Sequence, residues 1–182
     1  MNDAFLAPTA DTVQSIPVSL NGKAPTPTGV QIGEFVIHEI HRTDQYSRYI
    51  FPAFVDRALE FIKKYQSETD PVWLQQLLYN AFQHDLESVK LLCAVDSKNN
   101  IVAHVIAYVD QYGTRGSVAF ICQVEKDLTN PEIMDEGFKI LVAWKEKHKL
   151  NGMMHFALNE KVARVFQMEY GFKTHRIIQV RE

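Results

Sequence analysis

Residues that staple or interrupt a chain are scarce here: two cysteines, eight glycines and seven prolines in 182 residues. Cys93 and Cys122 both lie in apolar, strand-like runs, so a disulfide framework is excluded. They read as small buried core residues in a reducing compartment. An excess of one charge is also missing, since 22 acidic and 19 basic side chains leave a formal net charge of -3. That balance argues against a general nucleic-acid binder and against a binder of anionic membranes. No apolar run approaches the roughly 18 residues that a bilayer span needs. The start, Met1-Asn2-Asp3-Ala4-Phe5-Leu6-Ala7-Pro8, has no basic region followed by an apolar one, which predicts no secretory signal and a cytoplasmic protein. What is present is 46% hydrophobic and 23% charged, enough to build one ordinary domain with a tail.

The tail is residues 1 to 30. Four of the prolines fall there (Pro8, Pro17, Pro25, Pro27), along with Thr9, Thr12, Thr26, Thr28, Gly22 and Gly29. No helical or strand period survives them. The segment's only charges are Asp3, Asp11 and Lys23, while Phe5, Leu6, Ile16, Val18 and Leu20 are apolar. Alone it buries too little to offset its ordering entropy. The pattern predicts an extended Pro/Thr-rich arm that lies along a protein partner or a second copy of the chain. The domain itself is expected over 31–182.

Strand and helix patterns alternate from Gly33 onward. Gly33 to Ile40 reads as a strand, and Asp44 to Tyr65 as a helix closing on Lys63 and Lys64. Asp70-Pro71 marks a cap and a first helical residue, opening a second helix through Phe82. Val89 to Val95 and Ile101 to Val109 are the arms of a hairpin around Asp96-Ser97-Lys98-Asn99-Asn100. Ser117 to Val124 is the next strand, and Asn130-Pro131-Glu132 starts a helix that ends among Lys145, Lys147, His148 and Lys149. A strand over Met153 to Leu158, a helix over Glu160 to Tyr170 stopped by Gly171, and a strand over Thr174 to Val180 complete the order. The expected class is α/β, with a mixed sheet of six to seven strands and helices on both faces.

With this order, the segment Asn159 to Phe172 resembles the GNAT superfamily of acyl-CoA N-acyltransferases. The matching positions are Asn159 at a strand end, Ala163 and Phe166 on a short helix, and Gly171-Phe172 before the last strand. The resemblance covers Gly33 to Glu182. It implies a GNAT-like sheet, an acetyl-CoA site contacted by Val124, Lys126 and Asn159, and a general base at Glu125, at the end of the strand Ser117 to Val124.

Two departures from the family's pattern stand out. A phosphate-binding loop needs glycines so that backbone N–H groups can approach the anion at a helix start. The segment Val124 to Gly137 lacks paired glycines, and Glu125, Asp127, Glu132, Asp135 and Glu136 face a single Lys126. Where the family often places a proton-donating Tyr, this chain has Gln167, an amide that cannot act as a general acid. Tyr170 is close in sequence but further round the helix, at a position that is usually apolar core.

His104 and His155 interrupt apolar strands and are the other acid–base candidates lining a cleft, though the plainer reading of each is a satisfied, half-buried strand residue. His38-Glu39-Ile40-His41 does not make a metal site, because strand alternation sends positions three apart to opposite faces. No metal is expected, and no Ser-His-Asp order is readable.

Three readings follow. The acidic loop, Gln167 and the low-charge arm together favour a non-catalytic GNAT-fold module for structure or assembly, with no cofactor; such folds occur among internal virion proteins of tailed phages. The alternatives are an active N-acyltransferase using acetyl-CoA at a divergent site, and a small-ligand-binding module.

Overall fold

In a computed structural model, the structure describes residues 24–65, 69–110, 117–124, 131–155 and 160–173, with the backbone alone at 117, 123, 124 and 160–162. The chain enters through an irregular strap at 24–29 and forms a hairpin of β1 (Val30–Ile32) and β2 (Phe35–Glu39). The sequence reading took Gly33 as a strand start. The structure makes it the turn: Ile32 pairs with Phe35, and Gly33 takes φ +57°, a left-handed value that glycine adopts without a Cβ penalty.

Helix α1 (Gln45–Tyr65) starts where Asp44 Oδ2 accepts the Ser47 backbone N–H at 2.7 Å. Helix α2 (Pro71–His84) starts in the same way, with Asp70 accepting from the Val72 N–H at 2.9 Å, and stops at Asp85 in the left-handed region. The hairpin of β3 (Val89–Val95) and β4 (Ile101–Asp110) turns on Asp96, whose Oδ1 accepts from the N–H groups of Lys98 and Asn100. After β5 (Ser117–Val124) come α3 (Pro131–Lys147), β6 (Met153–His155) and α4 (Glu160–Tyr170). Gly171, at φ +69°, ends α4, and the Phe172 N–H returns to the Phe166 carbonyl. The expected last strand, Thr174 to Val180, lies outside the described residues.

The six described strands form one sheet in the order β1-β2-β3-β4-β5-β6. Every neighbouring pair is antiparallel except β5 and β6, which run parallel on either side of α3. The expected mixed α/β sheet with helices on both faces is present. On one face, α1 and α2 pack Phe54, Ala58, Leu74 and Leu78 against Leu91, Cys93, Val95 and Ile106. On the other, Leu141 and Trp144 of α3 and Phe166 of α4 cover Leu92, Ala107, Val118 and Phe120. Phe166 and Phe172, positions that carried the family resemblance, meet in this second core at 5.4 Å between ring centroids.

The strap is held against β2. The Nδ1 of buried His38 bonds to the Thr28 carbonyl, and Gly29 crosses so closely that a Cβ there would stand 2.0 Å from the Ile37 carbonyl oxygen. Gly29 also has φ +153°, which L side chains rarely adopt. Gly29→Ala is therefore expected to lower stability by about 1–3 kcal/mol, the range for a strained backbone site. Urea denaturation measures this, and an unchanged midpoint would mean that the strap does not pack on β2.

Candidate functional site

Strand β5 pairs with β4 along its whole length, Ser117 to Val124. Its described parallel pairing with β6 covers only Val118 to Phe120, opposite Met153 to His155. The described part of β6 ends at His155, and this parallel pair lies beside α3 and α4.

The side chains there come from all four elements. Cys122 of β5 and His155 of β6 meet, Sγ to Nε2, at 3.3 Å. The imidazole is stacked on Phe166 at 4.1 Å and lies 4.9 Å from the Phe120 ring. Burial pushes the Cys122 thiol up to about 12 and the His155 imidazole down to about 4. Both groups are thus neutral at pH 7, and the pair is a weak hydrogen bond between neutral partners, with no thiolate–imidazolium character. Tyr170 packs on Phe138 at 4.5 Å and donates its hydroxyl to Asp135 Oδ1 at 2.8 Å. Burial, then the Asp135 carboxylate that accepts this hydrogen bond, holds the phenol well above its ordinary pKa. Gln167, the residue at the family's usual Tyr position, is exposed on α4.

The sheet separates the two candidate histidines. Cross-strand register pairs His104 with Cys93 and turns both toward α1, where Phe54 and Phe61 present ring edges at 5.7 and 5.8 Å. His155 faces the opposite core. His104 is 1% exposed, and neither ring nitrogen has a hydrogen-bond partner among the described residues. Burial, reinforced by the nearby Arg57 charge, drives its pKa down to about 3. Val124 ends β5 with its backbone opposite Ala103. Glu125, Lys126 and Asn159 lie outside the described residues.

Two contacts escaped the sequence reading because they depend on register. Cys122 and His155 were each legible as strand residues, but only the parallel alignment of β5 and β6 makes them neighbours. A Ser, His and Asp also converge: Ser47 Oγ lies 2.8 Å from His38 Nε2 and 3.0 Å from Asp44 Oδ2, and it accepts the His41 N–H at 2.9 Å. Ser47 is fully buried, and Asp44 joins the imidazole on the serine side. The cluster is a helix cap that also ties the strap to α1, and both His38 and Ser47 are buried in it. His41 points away from it and lies between Glu39 at 3.0 Å and Asp85 at 3.2 Å.

The depressed pKa values fix a pH dependence. A histidine held neutral in the fold binds fewer protons than in the unfolded chain, so stability falls as pH drops below about 6.5 and keeps falling until the folded-state pKa is reached. The window is about pH 6.5 to 4 for His155 and extends to about 3 for His104. His104 alone contributes a slope of up to about 1.4 kcal/mol per pH unit. Urea denaturation between pH 7 and 4 is expected to show it, and His104→Leu to flatten it; an unchanged slope in the variant would mean that His104 is protonated or partnered in the native state.

No family model and no curated protein matches the sequence. Solved structures do match the fold. A predicted acetyltransferase from Clostridium acetobutylicum, solved with acetyl-CoA, superposes with a TM-score of 0.59 at 13% identity, covering 81% of this chain and 96% of that one. AAC(6')-Iy in complex with a CoA bisubstrate analogue gives 0.57 at 12% identity, covering 81% and 97%. The BH1408 protein from Bacillus halodurans gives 0.56 at 16% identity, covering 81% and 99%. The chain thus has the GNAT fold.

Proposed function

We propose that the chain is a GNAT-fold module that works by binding and carries out no acyl transfer. The observation that carries this reading is the state of the described cleft: Cys122, His155 and Tyr170 are all neutral at pH 7, and each is engaged by a neighbour. General acid–base catalysis favours a group that titrates near the working pH, and none of these three does. The acidic stretch from Glu125 to Glu136, with Lys126 as its lone cation, adds repulsion toward a pyrophosphate. In this reading residues 1–30 serve as a contact arm for a protein partner or a second copy, as in an assembly or virion component. Thr28 and Gly29 contact β2, so a deletion that probes the arm stops short of them.

A second reading has its own support. A fold neighbour that covers 81% of this chain was solved with acetyl-CoA. An N-acyltransferase would then use Glu125 as base, with Val124, Lys126 and Asn159 at the cofactor.

Calorimetric titration with acetyl-CoA separates the two. The binding-module reading expects no heat at millimolar cofactor and no release of CoA thiol with amine acceptors. Micromolar binding together with thiol release would establish the transferase. For the arm, deleting residues 1–23 is expected to leave the melting temperature unchanged and to weaken self-association or partner binding. A large drop in melting temperature would place the arm in the domain's own core.

A further inference from the structure

Strands β2 and β3 part beyond Glu39. That residue ends β2 opposite Leu92, and one more bond follows, from the Ile40 N–H to the Leu91 carbonyl at 2.9 Å. His41 then turns toward α1, its carbonyl accepting the Asp44 N–H. Two helix ends border the gap. Helix α2 stops at Asp85, at φ +49°, and α3 ends at Lys147, two residues before Lys149 at φ +54°. Between them lies a cavity of about 200 Å³. Helix α3 is 17 residues long, so this end stands about 25 Å from its start at Pro131. None of Cys122, His155 and Tyr170 lines the cavity, which is therefore distinct from the place where β5 meets β6.

The walls carry both signs of charge, and only part of that charge is met from within. Lys90 pairs with Glu39, and His41 lies between Glu39 and Asp85. Glu87, on the turn after α2, and Lys147, on α3, also line the cavity, and neither has an ion pair among the described residues. Trp144, Lys147 and His148 are three and four positions apart, so they share one face of α3. Ile40, Ala81, Leu86 and Val89 add an apolar portion.

This lining restricts what fits. A ligand displaces water from a polar space only if its own groups replace the lost hydrogen bonds. An uncharged ligand leaves Glu87 and Lys147 unmet, and a simple anion or cation suits one wall but is repelled by the other. At about 30 Å³ per water, a volume of about 200 Å³ holds about seven waters, which is the size of a small amino acid.

We propose that this cavity binds a free α-amino acid with a small apolar side chain. Its ammonium group faces Asp85 and Glu87 at the end of α2, where the helix dipole also favours a cation. Its carboxylate faces Lys147 and His148, and its side chain lies on Ile40, Leu86 and Val89. The site stands apart from the acetyl-CoA question and holds whichever way that is answered.

The test titrates the full chain with valine, isovalerate (which lacks the ammonium) and isobutylamine (which lacks the carboxylate). Amide chemical shifts and melting temperature are followed. Valine at millimolar concentration is expected to raise the melting temperature and to shift amides of residues 39–41, 85–91 and 144–148. Each single-charge analogue is expected to bind about tenfold more weakly or worse, since it loses a charge-assisted hydrogen bond. Glu87 and Lys147 are both exposed, so Glu87→Gln and Lys147→Ala are expected to stay folded. Lys147→Ala should weaken valine and isovalerate but not isobutylamine, and Glu87→Gln should weaken valine and isobutylamine but not isovalerate. Isovalerate bound as tightly as valine would reduce the site to a general anion site, and isobutylamine bound as tightly would reduce it to a cation site. Either result, valine binding unchanged in both variants, or no shift at these amides would overturn the proposal.

Discussion

The pleat of β4 sends His104 and Ile106 toward α1 and sends Val105 and Ala107 toward α3, and the rest of the protein is organised around that alternation. Because β4 is paired on both sides along most of its length, its parity is passed to β3 and β5 residue by residue. A slip of one position would move a buried set of Leu, Ile, Ala and Cys side chains to the wrong core. The two cores hold the register from opposite sides. Phe54, Leu74 and Leu78 clamp one face, and Leu141, Trp144 and Phe166 the other.

Buried polar groups mark where this arrangement is least comfortable. His38 is fully enclosed yet satisfied at both nitrogens, by the Thr28 carbonyl on one side and Ser47 on the other. It therefore joins three separate pieces of chain: the strap, β2 and the start of α1. His104 is equally enclosed without such partners among the described residues, surrounded by the rings of Phe54 and Phe61. An unsatisfied buried group costs about 1–3 kcal/mol, so the same residue type is a stabilising link at one position and a liability at the other.

The described residues where β5 meets β6 are chemically quiet. Aromatic packing from Phe120, Phe138 and Phe166 dries the site, and drying pushes thiol and imidazole pKa values apart until neither ionises at neutral pH. Tyr170 takes a core position and gives its proton to a hydrogen bond with Asp135.

Features carried by a few adjacent residues were legible in the chain itself. Asp70-Pro71 starts α2 because a carboxylate caps the helix and proline needs no N–H partner at its first position. Asp96 to Asn100 turns the hairpin by side-chain bonds to its own backbone, and Gly171 stops α4 through a left-handed φ. Strand and helix periods then gave the element order, and with it the fold class. Gly33 was misjudged because a glycine at a strand start and one in a two-residue turn look alike until Val30 to Ile32 is seen to pair across it. The site depended on longer distances. Cys122 and His155 are 33 residues apart, and Tyr170 and Asp135 are 35 apart. Local pattern carries no information on how such segments are aligned, so the sequence by itself determined the elements and their order. The tertiary structure alone decided which side chains meet, which histidine faces which core and which of them lose their charge, because register, burial and desolvation arise only once the two cores close on the sheet.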